Sequence, residues 1–357
     1  MEFLNQYDSV VENYENYMKK CIALAKNGEG LTSPNPLVGC IVLDKNNKEI
    51  STGYHHKYGE NHAERDALLK LHNGEEKDGT LVVNLEPCSH YGKTPPCADL
   101  IIERGLKKVI IGMQDVNPIV AGNGIRKLQK AGIEVISGVL ENECKALNEI
   151  FIKNMTLNKT FIAIKTATTL DGKTATQSGS SKWITSKLAR EEVKKIRNRY
   201  DAIMTSATTI LADNPTMLHR KKIILDRTLK TNLEAPIYKD GEIYLFNETL
   251  DMFEGGVNFI KTPVKEDKLD LEFVFEKAYE LGIKSILIES GGHLAGSSLK
   301  YADKIYHFIA PKITGDNASL SCFTFQKIDN INKSLNFKIS DIQQFEPDIL
   351  LTYYPIQ

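Results

Sequence analysis

Cysteine is scarce in this chain of 357 residues: there are six, Cys21, Cys40, Cys88, Cys97, Cys144 and Cys322. Six thiols are too few for a disulfide framework at this length, and they point to a reducing compartment. An excess of either charge is also missing. The 45 Lys and Arg offset 46 Asp and Glu, for a formal net charge of −1. The surface therefore lacks the basic footprint that a nucleic-acid backbone attracts. No uninterrupted apolar run reaches the roughly 18 residues of a membrane-spanning helix. Met1-Glu2-Phe3-Leu4-Asn5-Gln6-Tyr7-Asp8 has neither a basic n-region nor an apolar h-region, so no signal peptide is expected. Short solenoid repeats are absent too. What remains is 41% hydrophobic and 25% charged residues, a globular composition with ample material for a core. The length suits two domains, and the expectation is a cytoplasmic protein.

Apolar residues at helical spacing (Val10, Val11, Tyr14, Met18, Cys21, Ile22, Ala25) predict an amphipathic helix between Asp8 and Asn27. After the turn-rich Ser33-Pro34-Asn35-Pro36, buried strands are predicted at 37–43, 80–85 and 108–113. Helices are predicted near 63–71, 98–104, 122–131 and 141–153, and Lys45-Asn46-Asn47-Lys48 reads as an exposed turn. Strands alternating with helices of this length predict a mostly parallel sheet covered on both faces. The text turns polar from Asn154 to Thr160 and a strand starts at Phe161, which sets two domains, 1–153 and 154–357. The second repeats the α/β rhythm, with strands at 202–205, 222–225, 242–246, 285–289 and 304–309 and helices at 186–199 and 269–281.

The sharpest chemical feature is His62-Ala63-Glu64 followed by Pro87-Cys88 and, after eight intervening residues, Cys97. One imidazole and two thiolates are good zinc ligands, and three protein ligands leave a fourth position for water. Bound zinc lowers the pKa of that water to about 7. Glu64, at a helix start, can shuttle its proton without binding the metal. This is the zinc deaminase signature, with eight residues where two usually separate the cysteines. Two other readings stay open: three unrelated residues, or a closed structural site with His90 as fourth ligand. Cys21, Cys40, Cys144 and Cys322 read as small core hydrophobes, and His72 and His307 as surface or core residues.

The second half is less legible. Lys165 to Lys173 follows a strand and ends in an Asp171-Gly172 turn signal. Ser178 to Thr185 is a polar loop holding the single tryptophan, Trp183. It can offer a flat ring a surface, or Trp183 can simply anchor the loop. Ile286 to Ser297 reads as strand, glycine-rich turn and helix, where N–H groups at the helix start can bind phosphate oxygens. It matches neither a Walker A loop nor G-x-G-x-x-G, and a plain turn reads equally well.

Together, Ser33-Pro34-Asn35-Pro36-Leu37-Val38-Gly39, Gly53-Tyr54-His55, His62-Ala63-Glu64, the whole of Leu85 to Cys97, and Met113-Gln114-Asp115 closely resemble one family. It is the bifunctional riboflavin-biosynthesis deaminase/reductases. In the second half Leu170-Asp171-Gly172, Trp183-Ile184-Thr185, Leu211-Ala212-Asp213-Asn214-Pro215, Glu289 and Ala310-Pro311-Lys312 resemble the same family, in the same domain order.

The resemblance implies an α/β protein: a cytidine-deaminase-like α/β/α sandwich, then a dihydrofolate-reductase-like α/β domain. It implies hydrolytic deamination of 2,5-diamino-6-(5-phosphoribosylamino)pyrimidin-4(3H)-one, then NADPH-dependent reduction of the ribosyl group to a ribityl chain. His62, Cys88 and Cys97 would hold one Zn2+ per chain, with Glu64 as proton shuttle and Asn35, His55 and Lys93 on the substrate. Ala167, Trp183, Thr209, Asp213 and the run Gly291, Gly292, His293, Leu294, Ala295, Gly296, Ser297 would line the NADPH site. Ser181, Arg197, Arg220 and Glu289 would contact the reductase substrate, and no general acid stands out. The implied partner is a small phosphorylated pyrimidine, without nucleic acid or membrane, and the implied assembly is a homo-oligomer, dimer or tetramer. Near-zero charge disfavours a nucleic-acid-editing deaminase. Ser206 and Thr208 stand where glycines are frequent in the family, and Leu218 removes a hydroxyl. These departures keep open a second half that binds a nucleotide for regulation, without turnover.

Overall fold

The structure, a computed structural model, describes residues 2–91, 95–117, 121–181 and 184–356, with side chains from Tyr14 onward. The chain divides into two compact units, Met1–Asn158 and Lys159–Gln357. No helix among the described residues is long and apolar enough to cross a membrane.

The first unit runs α1 (Glu2–Ala25), β1 (Gly39–Leu43), β2 (Glu49–Tyr54), α2 (Ala63–Leu68), β3 (Thr80–Leu85), α3 (Cys97–Glu103) and β4 (Lys108–Met113). It continues with α4 (Asn123–Lys130), β5 (Glu134–Ser137), α5 (Glu141–Leu147) and α6 (Glu149–Leu157). The sheet order is β2-β1-β3-β4-β5. Strands β3, β4 and β5 are parallel, but β1 is antiparallel to both its neighbours. The sheet is therefore mixed, where a mostly parallel one was expected. The cause is local: the Lys45–Lys48 turn closes a hairpin, with Asp44 Oδ1 accepting from the N–H groups of Asn46 and Lys48. Strand β2 returns from that turn with only Gly53 buried, so no apolar run betrays it.

Helices α1 and α5 touch each other and lie on β1, β3 and β4, while α2, α3 and α4 form a second chain of contacts over β1, β2 and β5. Strands β1 and β3 are buried along their whole length, which drives the collapse of both helix layers onto them. Gly53 sets the height of α2. A Cβ there would lie 2.5 Å from Ala63 O and Ala67 N, so no side chain fits between β2 and the helix that carries Glu64. The helix expected over 141–153 is two helices, broken at Asn148, whose side chain bonds the Leu37 N–H and C=O. The polar stretch from Asn154 lies in the last turns of α6, which stops only at left-handed Asn158.

The second unit runs β6 (Phe161–Thr169), β7 (Lys173–Ala175), α7 (Lys187–Asn198), β8 (Ala202–Ser206), α8 (Ala207–Asp213) and β9 (Lys221–Leu225). Then come β10 (Glu242–Asn247), β11 (Met252–Glu254), β12 (Val257–Lys261), the short pair β13 (Val264–Lys265) and β14 (Lys268–Leu269), and α9 (Leu271–Glu280). It ends with β15 (Ser285–Glu289), α10 (Gly292–Ser298), β16 (Lys304–Ala310), β17 (Leu320–Ser321), β18 (Phe337–Phe345) and β19 (Asp348–Pro355). Ten strands form one sheet in the order β11-β12-β10-β9-β8-β15-β6-β16-β19-β18. From β12 to β16 every pairing is parallel; β11, β19 and β18 are antiparallel. Ile164, Met204, Ile223, Phe246 and Ile288 form the buried centre. The parallel strands deliver the carboxyl ends of the central strands β6, β8 and β15 to one end of the sheet, where ligands of such sheets bind.

Candidate active sites

In the first unit, two helix starts and one strand end converge. His62 immediately precedes α2, Cys97 opens α3, and Cys88 follows β3 by a short turn. The His62 Nδ1 lies 3.6 Å from Cys88 Sγ and 3.5 Å from Cys97 Sγ. With Zn–S near 2.3 Å and Zn–N near 2.0–2.1 Å, a tetrahedral ion needs an N···S edge of about 3.6 Å. The donor set fits the ion, and it is the one such cluster among the described residues. His90 is exposed and outside that cluster, so the donors number three and a position stays open.

Glu64 sits in the first turn of α2 and is only 3% exposed. Burial pushes its carboxyl up to about 7, against the pull of His62. The Cys88 thiol is drawn well below its usual range by the hydrogen bond from Cys97, with His62 adding to the effect. The Cys97 N–H also donates to Cys88 Sγ at 3.3 Å, so a helix start stabilises that thiolate.

His55 and Asn35 stand beside this centre. His55 Nδ1 is 2.9 Å from the Asn61 carbonyl and Nε2 is 3.1 Å from Asn35 Nδ2. The Nδ1–H therefore donates, and Nε2 accepts from the amide. Burial lowers the His55 pKa, and its ring packs edge-to-face with His62 at 5.7 Å between centroids. Lys93 lies outside the described residues. Sequence reasoning assigned no role to Glu86, a buried acid that accepts four backbone N–H groups beside Cys88. Its only signal was an acid placed directly before Pro87-Cys88.

The second unit holds a cavity of about 680 Å³ at the carboxyl ends of these central strands. Its walls include Ala167, Thr209, Asp213, Gly291 and Gly292 from the anticipated cofactor set, and Ser181, Arg197 and Glu289 from the anticipated substrate set. Ser181 Oγ donates to Asp213 Oδ1 at 3.0 Å, and the Gly291 N–H reaches Thr209 Oγ1 at 3.4 Å. The rest of the glycine-rich run is placed otherwise. His293 is exposed, Leu294 and Ala295 pack into the core, and Ser297 is not among the wall residues. Gly296 meets the Thr324 backbone, where a Cβ would clash at 2.6 Å. Arg220 is exposed ahead of β9 and outside the cavity walls. Trp183 lies outside the described residues. Thr208 is a wall residue, whereas Leu218 is exposed.

The floor of the cavity is a charge cluster. Arg197 Nε donates to Glu289 Oε1 at 2.6 Å and Nη2 to Oε2 at 3.0 Å. Lys165 Nζ stands 3.2 Å from Glu289 Oε2. Burial alone would raise the Glu289 carboxyl, but Lys165 and Arg197 outweigh it and hold it at about 2. Lys165 is a charged cavity residue to which the sequence assigned no role. It pairs in register with Glu289 across β6 and β15, a juxtaposition with no local signal. Lys187, Arg190, Lys194 and Arg197 follow helical spacing along α7, and all four line the cavity.

Residues 160–351 match the RibD C-terminal domain family, and residues 11–113 match the cytidine and deoxycytidylate deaminase zinc-binding region. Fold and sites define a two-domain enzyme, a zinc-dependent hydrolase joined to an oxidoreductase. The chain is 40% identical over 360 residues to riboflavin biosynthesis protein RibD of Actinobacillus pleuropneumoniae, covering 96% of this chain and 95% of the relative. Identity to the RibD of Escherichia coli strain K12 is 36%, covering 94% and 98%. A Thermotoga maritima structure, a diaminohydroxyphosphoribosylaminopyrimidine deaminase/5-amino-6-(5-phosphoribosylamino)uracil reductase, superposes with TM-score 0.88 at 36% identity, covering 97% and 99%. Acinetobacter baumannii RibD gives 0.86 at 32%, covering 97% and 100%. The chain belongs to the RibD family of bifunctional riboflavin-biosynthesis enzymes, deaminase and reductase in one polypeptide, with zinc and NADPH as cofactors.

Proposed function

We propose that the unit Met1–Asn158 deaminates 2,5-diamino-6-(5-phosphoribosylamino)pyrimidin-4(3H)-one and that Lys159–Gln357 then reduces its ribosyl group to a ribityl chain. This reading sets the domain break at the end of α6, a few residues beyond the 153/154 read from the sequence, a choice the two compact units support. The observation that carries the reading is the tetrahedral spacing of His62, Cys88 and Cys97 beside buried Glu64. Held by those three residues, zinc would supply a water activated for attack at neutral pH.

Glu64 takes the proton of the attacking water and returns it to the departing nitrogen. The water oxygen bonds to the pyrimidine C2, the C2–N bond breaks, and ammonia leaves. Asn35, with its amide oriented by His55, reads the pyrimidine edge, and Lys93 meets the phosphate. In the second unit bound NADPH would supply a hydride to the sugar carbon attached to nitrogen, the bond from that carbon to the ring oxygen breaking, the oxygen taking a proton and NADP+ remaining. Asp213, Thr209, Ala167, Gly291 and Gly292 would hold and orient the cofactor. Arg197, Lys165, Ser181 and Glu289, on the walls of the same cavity, would hold the phosphorylated sugar.

Strand β18 supports a homo-oligomer: it is a sheet edge of nine residues with Ile339 and Ile342 exposed, a surface that favours pairing. Six free cysteines suit a cytoplasmic location.

The test follows ammonia release and NADPH oxidation together on the full chain. Matched turnover is expected, and Glu64→Gln should abolish both while zinc stays bound. Full activity in that variant overturns the mechanism. Ammonia without NADPH oxidation would favour a regulatory second half instead.

A further inference from the structure

Cys88 sits on a turn rather than on a helix or strand, so something must hold its thiolate at the metal centre. The turn carries Glu86, an acid only 3% exposed and two residues before the ligand. Its Oε2 accepts from the N–H groups of Asp115 at 3.2 Å and Gly122 at 2.9 Å. Its Oε1 accepts from Gly124 at 2.9 Å and Ile125 at 3.1 Å. Four donors replace the water that this buried carboxylate has lost. Three of them belong to the start of α4, where N–H groups have no partner inside the helix and negative charge is favoured.

Steric closure accompanies the hydrogen bonds. A Cβ on Gly124 would lie 2.1 Å from the Pro87 carbonyl oxygen, so the first turn of α4 rests directly on the residue between Glu86 and Cys88. From the other direction the Cys88 C=O accepts from Ala98 N–H at 3.1 Å, and its Sγ accepts from Cys97 N–H. The ligand is thus clamped between α3 and α4, and Glu86 is the polar half of the α4 contact.

We propose that Glu86 is a positioning residue of the deaminase centre: it fastens Asp115 and the start of α4 to the Cys88 turn, and so fixes this thiolate against His62 and Cys97. The inference rests on the reading of those three residues as zinc ligands. A helix cap alone would need no ligand two residues away and no glycine packed on Pro87. A positioning role needs both.

Glu86→Gln tests it in the full chain. The side chain keeps its shape, but the amide turns N–H groups toward N–H donors, and only one oxygen still accepts. Loaded with zinc, the variant should release the metal to a chelator about ten-fold faster than the parent or more, as for other partners that orient a metal ligand. Ammonia turnover per bound zinc should fall, and NADPH oxidation on supplied deaminated pyrimidine should persist, which reports a folded second unit.

Gly124→Ala keeps the carboxylate but forces α4 away from Pro87, and should give the same faster release. If both variants unfold at lower temperature yet release zinc and turn over per zinc as the parent does, Glu86 is a helix cap only and the proposal is overturned. A parent chain that holds no stoichiometric zinc, or a Cys88→Ser variant that holds it equally well, would instead overturn the ligand reading beneath it.

Discussion

Arg197 on α7 grips Glu289 at the end of β15 through two nitrogens, at 2.6 and 3.0 Å, across 92 residues of chain. Lys165 closes on the same carboxylate from β6. One anion between two cations leaves the floor of the reductase cavity net positive, which suits a phosphorylated substrate and a phosphorylated cofactor.

Arg197→Ala should therefore act on both stability and chemistry. It leaves a buried carboxylate with Lys165 alone. The cost is expected near 2 kcal/mol, below the roughly 3–5 of a fully buried pair, because Arg197 is 24% exposed. Urea unfolding of the second unit measures the first effect and NADPH oxidation the second. Ammonia release should be unchanged.

Stability should also depend on pH through two groups of the second unit. His307 accepts or donates to Thr168 Oγ1 at 2.9 Å and Tyr353 OH at 3.3 Å, and burial lowers its pKa to about 4. An unfolded histidine titrates near 6.5, so between 6.5 and 4 the unfolded chain binds more protons and stability rises with pH. The contribution, on the order of 3 kcal/mol, is complete above 6.5 and is lost as pH falls toward 4. Glu289 acts lower: its stabilisation is complete above 4.5 and is lost as pH falls toward about 2. His307→Gln should flatten the unfolding midpoint between pH 6.5 and 4.5 and leave the loss below 4.5. An unflattened profile would remove His307 as the cause.

The α7 stripe predicts a salt effect on the reductase alone. Lys187, Arg190, Lys194 and Arg197 border a cavity inside a chain whose net charge is only −1. Lys194→Glu should lower kcat/KM for reduction about three-fold at low ionic strength. The deficit should shrink as salt shortens the screening length to a few ångströms. Deamination in the same chain provides the control, and a deficit insensitive to salt would contradict steering.

Some of this protein is readable without coordinates. Strands 80–85 and 108–113 appear with the bounds read from the sequence, because both are almost entirely buried apolar runs. His62, Glu64, Cys88 and Cys97 announce themselves because their chemistry is rare and their spacing short. Strands β2, β5 and β18 gave no signal, since β2 buries only Gly53, β5 buries none of its residues and β18 exposes seven of nine, which leaves no apolar pattern. The glycine-rich run was only partly legible: glycine reads the same whether it admits a ligand, as Gly291 can at the cavity wall, or admits a backbone, as Gly296 does at Thr324.

Sequence by itself determined the candidate metal donors and the apolar strands, both properties of residue type and local order. Only the tertiary structure decided that Lys165 meets Glu289 and that Glu86 collects donors 29 to 39 residues away. A buried charge chooses partners by proximity in space, and the packing of α4 on Pro87 and of β6 on β15 creates that proximity.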